Sequence, residues 1–259
     1  MKKALVTGAS SGIGAVYADR LANQGYDLIL IARDEVRLYN VASRIKQETG
    51  RDVETHLLDL SVKTNIIKVE KIIELDPSLS MIVNNAGYSG NGNFLEVNGD
   101  DIEDMINLNI TALARLSNAA AKAFSKRKSG TIVNIGSGVV LIPDQFNAIY
   151  GGTKAFILNF TRNIAEQLKN NGITVQVVLP GAVLTEAWKR AGDTVSHVPK
   201  EAIMSTEDLV DSALAGLALK EVVTMPSLEN NGAWIKFEEA RLELIPQIFN
   251  GKLASRYHT

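Results

Sequence analysis

A tyrosine and a lysine four residues apart are the side chains of this sequence best suited to moving a proton. Tyr150 and Lys154 lie in a segment predicted to be helical, and this spacing puts them on one face of a helix. A phenol titrates at about 10, too high for ready proton exchange at neutral pH, and a nearby ammonium lowers that pKa by stabilising the phenolate. The pair therefore predicts a general acid/base, Tyr150, tuned by Lys154.

A serine precedes this pair and adds a hydroxyl that could act with it. Taken alone, Tyr-x-x-x-Lys on a helix is a common accident of sequence. Ser137, however, lies at the end of the apolar run Ile132-Val133-Asn134-Ile135, a predicted buried strand, and 13 residues before Tyr150. Its hydroxyl is suited to hydrogen-bonding a substrate oxygen and the alkoxide that develops on it.

A glycine-rich turn joins the first predicted strand to the first predicted helix. Gly8 permits a tight turn, Gly12 allows the backbone to approach a pyrophosphate, and Gly14 lets the helix pack close to the sheet. The helix N-terminus then offers unpaired N–H groups and a partial positive charge to phosphate. The alternative is a glycine-rich connection that binds no ligand. The turn runs Thr7-Gly8-Ala9-Ser10-Ser11-Gly12-Ile13-Gly14.

The elements that must position these residues alternate along the chain. Several predicted strands are continuous apolar runs, as expected of strands buried on both faces. The pattern predicts an α/β fold of the doubly wound, Rossmann type, with a seven-stranded, mostly parallel sheet between two layers of helices. The predicted strands span residues 3–7, 27–32, 53–57, 81–84, 131–136, 174–179 and 222–225. The predicted helices span residues 14–24, 35–49, 64–75, 100–126, 147–170 and 206–219.

In its glycine turn and its Ser–Tyr–Lys order the chain resembles the short-chain dehydrogenase/reductase family, whose TGxxxGIG signature it matches letter for letter. Further motifs of the family fall in order, and the match extends from residue 3 to about 185. The resemblance implies a fourth catalytic residue, Asn109, which would bend its helix and hold a water linked to Lys154. It also implies that Tyr150 and Lys154 contact the cofactor. The cofactor-binding positions it implies outside the glycine turn (Gly8, Ser10, Ser11, Gly12, Ile13, Gly14) are Asp59 beside the adenine, Asn85, Ala86 and Gly87 after the fourth strand, and Pro180, Gly181, Val183 and Thr185 after the sixth.

The end of the second strand bears on the choice of cofactor. An acid there suits the ribose 2′-hydroxyl of NAD(H), whereas a basic residue suits the 2′-phosphate of NADP(H). This strand ends in Ala32-Arg33-Asp34, and Arg33 offers a planar donor fork to phosphate. Asp34 is the competing signal, which we interpret as a helix N-cap. NADP(H) is the expected cofactor and NAD(H) the alternative.

Composition excludes several classes of function. The 259 residues carry a formal charge of −2, so we expect neither a nucleic-acid nor a membrane partner. There is no cysteine, which removes disulfides, thiolate catalysis and cysteine–zinc sites, and the three histidines lack metal-ligand spacing. The apolar run Ala4-Leu5-Val6 is too short for a secretory signal core. We expect a cytoplasmic protein without a bound metal.

The substrate and assembly are less defined by the sequence. We predict one domain over residues 1–259, with a substrate lid at about 186–204 and a C-terminal extension at about 226–259.

Gly151-Gly152 is unusual inside a helix, and our hypothesis is that the missing side chains make room for substrate or cofactor. The C-terminus departs from that of the acyl-carrier reductases of the family, which puts their tetramer and substrates in doubt. A homodimer through the two long helices, or a homotetramer, is expected. Candidate pocket residues are Tyr88, Phe94, Val139, Val140, Phe146 and Trp188, with Val140 better explained as core.

These observations predict an oxidoreductase that transfers a hydride between NADP(H) and a small, apolar carbonyl or alcohol substrate. An epimerase or dehydratase is a second enzymatic alternative, although its glycine spacing differs. A third alternative is an NADP(H)-binding regulator or scaffold that has lost catalysis.

Overall fold

Strands and helices alternate along the chain, as its apolar runs predict. The computed structural model describes residues 2–90, 94–183 and 199–257. The strands are β1 Lys3–Thr7, β2 Asp27–Ala32, β3 Val53–Leu57, β4 Leu79–Asn84, β5 Gly130–Ile135, β6 Ile173–Val178, β7 Ala182–Val183, β8 Ile203–Met204 and β9 Val223–Thr224. The helices are α1 Gly12–Asn23, α2 Glu35–Thr49, α3 Lys63–Leu75, α4 Gly99–Ile106, α5 Leu113–Arg127, α6 Ala148–Leu168, α7 Thr206–Ala218, α8 Gly232–Glu243 and α9 Ile245–Ile248.

A parallel sheet forms the centre of the fold. Within the described residues, seven strands pair in the order β3-β2-β1-β4-β5-β6-β9, and each pairing is parallel. The order reverses direction between β1 and β4, which puts the carboxyl ends of these two strands beside a crevice. In doubly wound sheets, ligands bind at such a switch point. The predicted fold class is confirmed.

The central strands are apolar on both faces, and the two faces pack against different helices. In β2, Leu28 and Leu30 join one buried cluster together with residues of α1 and α2. Ile29 and Ile31 join another with residues of α3 and α5. Because side chains alternate across a strand, a continuous apolar run supplies both clusters, and both layers of helices are held to one sheet.

The helix predicted for residues 100–126 forms with an irregularity in its middle. A π-helical turn, Asn107–Ala112, separates α4 from α5. A π turn holds one residue more than an α turn needs, so α4 and α5 continue one another with a local widening. Asn109 lies in this widened turn.

By its contacts the chain divides into two compact units, residues 1–226 and 227–259. The smaller unit contains α8 and α9, which among the described residues bury no side chain. No helix in the described ranges is long and apolar enough to cross a membrane.

Candidate active site

The first turn of α6 carries Tyr150, and the second carries Lys154. Asn147 caps the helix, because its side-chain oxygen accepts a hydrogen bond of 3.0 Å from the Tyr150 N–H. The Lys154 Nζ lies 5.6 Å from the centre of the Tyr150 ring and donates to the Ile135 carbonyl at 2.9 Å. The helix therefore presents both groups to the end of β5, as their spacing predicts.

Ser137 reaches the same place from β5. It follows the last residue of that strand by two positions and is buried. Its Oγ accepts a hydrogen bond of 3.3 Å from the Val139 N–H, which starts a short 3-10 turn over Gly138–Leu141. The Ser137 hydroxyl also lies near enough to the Tyr150 phenol to influence its pKa. The structure thus brings Ser137, Tyr150 and Lys154 together.

Burial sets the proton affinities of the tyrosine and the lysine. It raises the pKa of Tyr150, and the neighbouring Ser137 hydroxyl offsets part of that rise. It also lowers the pKa of Lys154 to about 8, since a charged amine is disfavoured away from water. The net direction for Tyr150 is opposite to the lowered pKa expected from the sequence. The reason is that desolvation outweighs an ammonium that is itself buried and bonded to a carbonyl.

Asn109 connects the end of β4 to α6. Its side-chain oxygen accepts from the Tyr88 N–H at 3.1 Å, and its amide nitrogen donates to the Tyr88 carbonyl at 3.0 Å. The same nitrogen donates to the Thr153 hydroxyl at 3.1 Å. A Cβ added at Gly87 would lie 2.9 Å from Asn109 Oδ1 and 3.8 Å from Lys154 Nζ. Asn109 is therefore adjacent to the lysine as well as to the strand end.

The glycine turn forms between β1 and α1 as predicted. Gly8 and Gly12 have φ of 67° and 54°, a region that favours glycine. A Cβ at Gly14 would overlap the Gly8 carbonyl oxygen and lie 2.5 Å from Asn85 Nδ2. The Asn85 amide in turn donates to the Thr7 and Gly8 carbonyls at 2.9 and 3.2 Å. The end of β4 thus holds the turn in place.

This turn has the accessible backbone donors that dinucleotide binding requires. Ser10, Ser11, Gly12 and Ile13 are all partly accessible, and α1 begins at Gly12 with its first N–H groups at the sheet edge. At the Ser11 cap, in the described part of the chain, no side-chain hydrogen bond occupies those groups. Backbone donors and glycine at the points of closest approach fit a pyrophosphate.

Two charged residues predicted to contact different parts of the cofactor are paired with each other. Arg33 Nη1 lies 3.4 Å from Asp59 Oδ2, and both side chains are partly exposed. Burial pushes the pKa of Asp59 upward, but hydrogen bonds from Ser61 and the charge of Arg33 bring it below its ordinary value. Asp34 caps α2 by accepting from the Arg37 N–H at 3.1 Å, so its interpretation as an N-cap is confirmed.

The segment after β6 lies beside the serine. The Pro180 carbonyl accepts a hydrogen bond of 2.7 Å from the Gly138 N–H, whereas Gly181 is exposed. Val183 is buried in β7, which pairs with β8. Thr185, Trp188 and residues 186–198 of the predicted lid lie outside the described residues.

Comparison with known proteins agrees with this geometry. Residues 2–196 match the family model described as short chain dehydrogenase. The chain belongs to the short-chain dehydrogenase family.

Two solved structures resemble this short-chain dehydrogenase over its length. One is a short-chain dehydrogenase from Sphingobium yanoikuyae in complex with NADPH, 42% identical with a TM-score of 0.95, over 99% of this chain and 100% of that one. The other is a bulky-bulky ketone specific alcohol dehydrogenase from Comamonas testosteroni, 38% identical with a TM-score of 0.91, over 100% and 99% of the two chains. The 3-oxoacyl-acyl-carrier-protein reductase of Vibrio harveyi is 30% identical over 89% of this chain and 96% of its own.

A cavity of about 340 Å³ opens beside the first turn of α6. Two of the predicted pocket residues, Phe94 and Phe146, line it. Val140 instead packs against a buried cluster, and Tyr88 packs partly against another. Val139 is partly exposed in the 3-10 turn. The residues lining the cavity are Phe94, Val97, Asp144, Gln145, Phe146, Asn147, Ala148 and Ile149.

Two further residues that hold the dehydrogenase site together were not singled out from the sequence. Thr7 Oγ1 accepts from the Asn85 and Ala86 N–H groups, each at 3.0 Å. Thr153 Oγ1 donates to the Tyr150 carbonyl at 2.8 Å. A signal for Thr153 was available, since a threonine inside a helix commonly bonds back to a carbonyl of the preceding turn. Among the described residues no group of His, Asp and Glu side chains is placed to hold a metal.

Proposed function

We propose that this short-chain dehydrogenase transfers a hydride between NADP(H) and a carbonyl/alcohol carbon of a small, apolar substrate, with Tyr150 as general acid/base. One observation carries the proposal. The Ser137 hydroxyl lies near enough to the Tyr150 phenol to lower its pKa, and Lys154 lies one helical turn away with its amine buried and bonded to the Ile135 carbonyl.

The glycine turn is proposed to hold the pyrophosphate, and the nicotinamide would supply or take up the hydride when bound. Support comes from the positive φ of Gly8 and Gly12 and from the close approach of Gly14 to the Gly8 carbonyl, which leaves no room for a side chain there. The further residues proposed to contact the cofactor are Ser10, Ser11, Ile13, Arg33, Asp59, Asn85, Ala86, Gly87, Tyr150, Lys154, Pro180, Gly181, Val183 and Thr185.

NADP(H) is the preferred cofactor in this proposal because Arg33 follows the second strand. Its contact with Asp59 is partly exposed, and surface ion pairs of this kind contribute about 0–1 kcal/mol. A phosphate that carries more charge than one carboxylate is therefore able to take over the guanidinium. The complex of the Sphingobium yanoikuyae relative with NADPH supports the same preference.

Each polar group of the site has a proposed task in carbonyl reduction. The Tyr150 hydroxyl gives its proton to the carbonyl oxygen, and Ser137 donates a hydrogen bond to that oxygen as negative charge develops on it. Lys154, one turn away, stabilises the resulting phenolate when it is protonated. Asn109 holds the strand end and the helix at a fixed separation through its bonds to Tyr88 and Thr153. In alcohol oxidation the proton moves in the opposite direction.

The small-molecule substrate that we propose is an apolar ketone with bulky substituents, or the matching alcohol. The chain between Ser137 and Tyr150 exposes Leu141, Ile142 and Phe146, and Phe94 faces the cavity with Phe146. Exposed apolar side chains around a polar centre are typical of a site for an apolar ligand. The bulky-bulky ketone specificity in the name of the Comamonas testosteroni relative supports this choice.

The protein is also proposed to form a homodimer or homotetramer through its long helices. Phe156 and Phe160 of α6 stack with ring centres 5.4 Å apart, and Phe156 and Ile106 are exposed. Light scattering on the purified protein tests this assembly. A monomer at all concentrations would contradict it.

The activity is tested by mixing protein, NADPH and a panel of ketones and following the nicotinamide absorbance. We expect turnover with apolar ketones and its loss in Tyr150→Phe, which keeps the ring and removes only the hydroxyl. NADPH binding without turnover on a broad panel would favour the regulator instead.

A further inference from the structure

Thr153 lies between Tyr150 and Asn109 and is hydrogen-bonded to both. Its hydroxyl donates to the Tyr150 carbonyl at 2.8 Å and accepts from Asn109 Nδ2 at 3.1 Å. The residue is buried, so water does not replace these bonds readily. The Thr153 oxygen thus uses its proton on one partner and a lone pair on the other.

Both backbone polar groups of Tyr150, its N–H and its carbonyl, are consequently hydrogen-bonded to side chains. Its N–H donates to Asn147 Oδ1 at 3.0 Å, and its carbonyl accepts from Thr153. First turns of helices lack half of their backbone partners and fray most easily. The two side chains hold this first turn, and the tyrosine on it, in a defined orientation.

Asn109 is fixed in turn by the strand end. Its amide brackets the Tyr88 backbone with bonds of 3.0 and 3.1 Å, and its third bond goes to Thr153. The path from β4 to Tyr150 therefore runs through Asn109 and then through the threonine hydroxyl. Among the described residues, the Asn109 side chain bonds to Tyr88 and Thr153 and not to Tyr150 itself.

We propose that Thr153 is a positioning residue, through which Asn109 holds Tyr150 in the geometry for proton transfer. This inference rests on the proposed function. Loss of the hydroxyl removes the side-chain bond to the Tyr150 carbonyl and leaves one Asn109 hydrogen without its acceptor, while the phenol, Ser137 and Lys154 stay in the chain. Small misplacements of a reacting group lower turnover by up to about 100-fold.

A second threonine on α6 provides a matched control. Thr161 is also buried, donates back along the helix to the Ile157 carbonyl at 2.7 Å, and accepts from Asn134 Nδ2 at 2.9 Å. It has the same bonding pattern two turns farther along and contacts none of the site residues in these bonds. Thr161→Val thus removes an equivalent buried hydroxyl at a distance from Tyr150.

The experiment measures kcat and KM for a ketone, together with the thermal midpoint of unfolding. Thr153→Val replaces the hydroxyl by a methyl of similar size, Thr153→Ser keeps the hydroxyl, and Thr153→Ala is the second variant should the valine prevent folding. We expect kcat to fall about 10- to 100-fold in Thr153→Val or Thr153→Ala with KM little changed. Thr153→Ser restores most of the turnover, and Thr161→Val loses thermal stability without losing kcat.

A double-mutant cycle with Asn109→Ala tests the route. If Asn109 acts through Thr153, the double variant is no slower than the slower single variant. Additive losses would overturn the proposed route, and equal losses of kcat in Thr161→Val and Thr153→Val would overturn the positioning role. Unchanged turnover in Thr153→Val, with Tyr150→Phe inactive, would refute the role of Thr153 alone. Unchanged turnover in Tyr150→Phe would instead refute the proposed function.

Discussion

The guanidinium of Arg33 lies 3.4 Å from the carboxylate of Asp59, across the ends of two neighbouring strands. The basic residue after β2 is therefore in contact with the acid after β3. Both side chains are partly exposed, which keeps the pair weak and open to exchange. We expect Asp59 to orient the arginine proposed to select the cofactor until a phosphate takes its place.

Replacing Arg33 by alanine is expected to change the choice of cofactor. The variant loses the proposed donor to the 2′-phosphate, so kcat/KM with NADPH falls about 10- to 100-fold. With NADH, which lacks that phosphate, kcat/KM stays close to its original value. Steady-state kinetics with both cofactors measure the ratio. Arg51→Ala serves as control, because Arg51 donates to the Gly25 carbonyl, near the start of β2 rather than its end. Equal losses with both cofactors would contradict the phosphate assignment.

The amine of Lys154 is expected to make stability depend on pH in a defined window. Its pKa is about 8 in the fold and 10.5 as a free side chain. Between these values the unfolded chain holds the proton and the folded chain does not, so raising the pH stabilises the fold. The gain approaches an order of 3 kcal/mol at pH 10.5 and is lost as the pH falls to 8. Denaturant unfolding of Tyr150→Phe and of Tyr150→Phe/Lys154→Met isolates the lysine from the phenol. A stability difference between them that does not rise with pH would show that burial leaves the amine unperturbed.

Gly151 is predicted to border the substrate, whereas Gly152 faces away. Around the helix Gly151 lies about 60° from Lys154; it is half-buried, and Gly152 is exposed. A Cβ at either position meets no atom within 4 Å in the described structure. Either alanine therefore stabilises α6 by about 0.5–1 kcal/mol, which thermal unfolding measures. Only Gly151→Ala is expected to raise KM for bulky ketones. Unchanged kinetics in Gly151→Ala would remove this residue from the substrate site.

A buried chain of side chains beneath the site predicts a stability effect without a kinetic one. Asn84 Nδ2 donates to Asn134 Oδ1 at 2.9 Å, and Asn134 Nδ2 donates to Thr161. Thr161→Val leaves the Asn134 amide with an unsatisfied hydrogen, which costs about 1–3 kcal/mol of unfolding free energy. Thr161→Ser keeps the acceptor and should lose much less. Chemical denaturation compares the two, and equal losses would assign the effect to packing of the methyl group.

The main elements of the fold could be predicted because their signals are local. The first three strands and α2 have the bounds predicted from apolar runs and caps. Gly50 ends α2 in a left-handed conformation, as expected of a C-terminal glycine. The glycine turn and the Tyr150–Lys154 spacing are also short-range patterns. Their place at one edge of the sheet could therefore be predicted from the sequence.

The features that escaped prediction depend on residues distant in the chain. The Arg33–Asp59 pair joins residues from two strand ends, and the upward shift in the pKa of Tyr150 comes from burial by other segments. The bond between Asn109 and Thr153 spans 44 positions. Periodicity along one helix contains no information on such contacts, and it also favours a regular helix over residues 100–126 where the fold has a π turn.

The π turn at Asn107–Ala112 makes the length of this helix as consequential as its composition. The widened turn takes up one residue more than regular α-helical winding would hold, and Met105 before it and Leu116 after it are both buried. Deleting a single residue there would return the helix to uniform winding and remove the widened turn in which Asn109 lies. The number of residues in this helix, as well as their types, thus helps to set where the Asn109 amide meets the Tyr88 backbone.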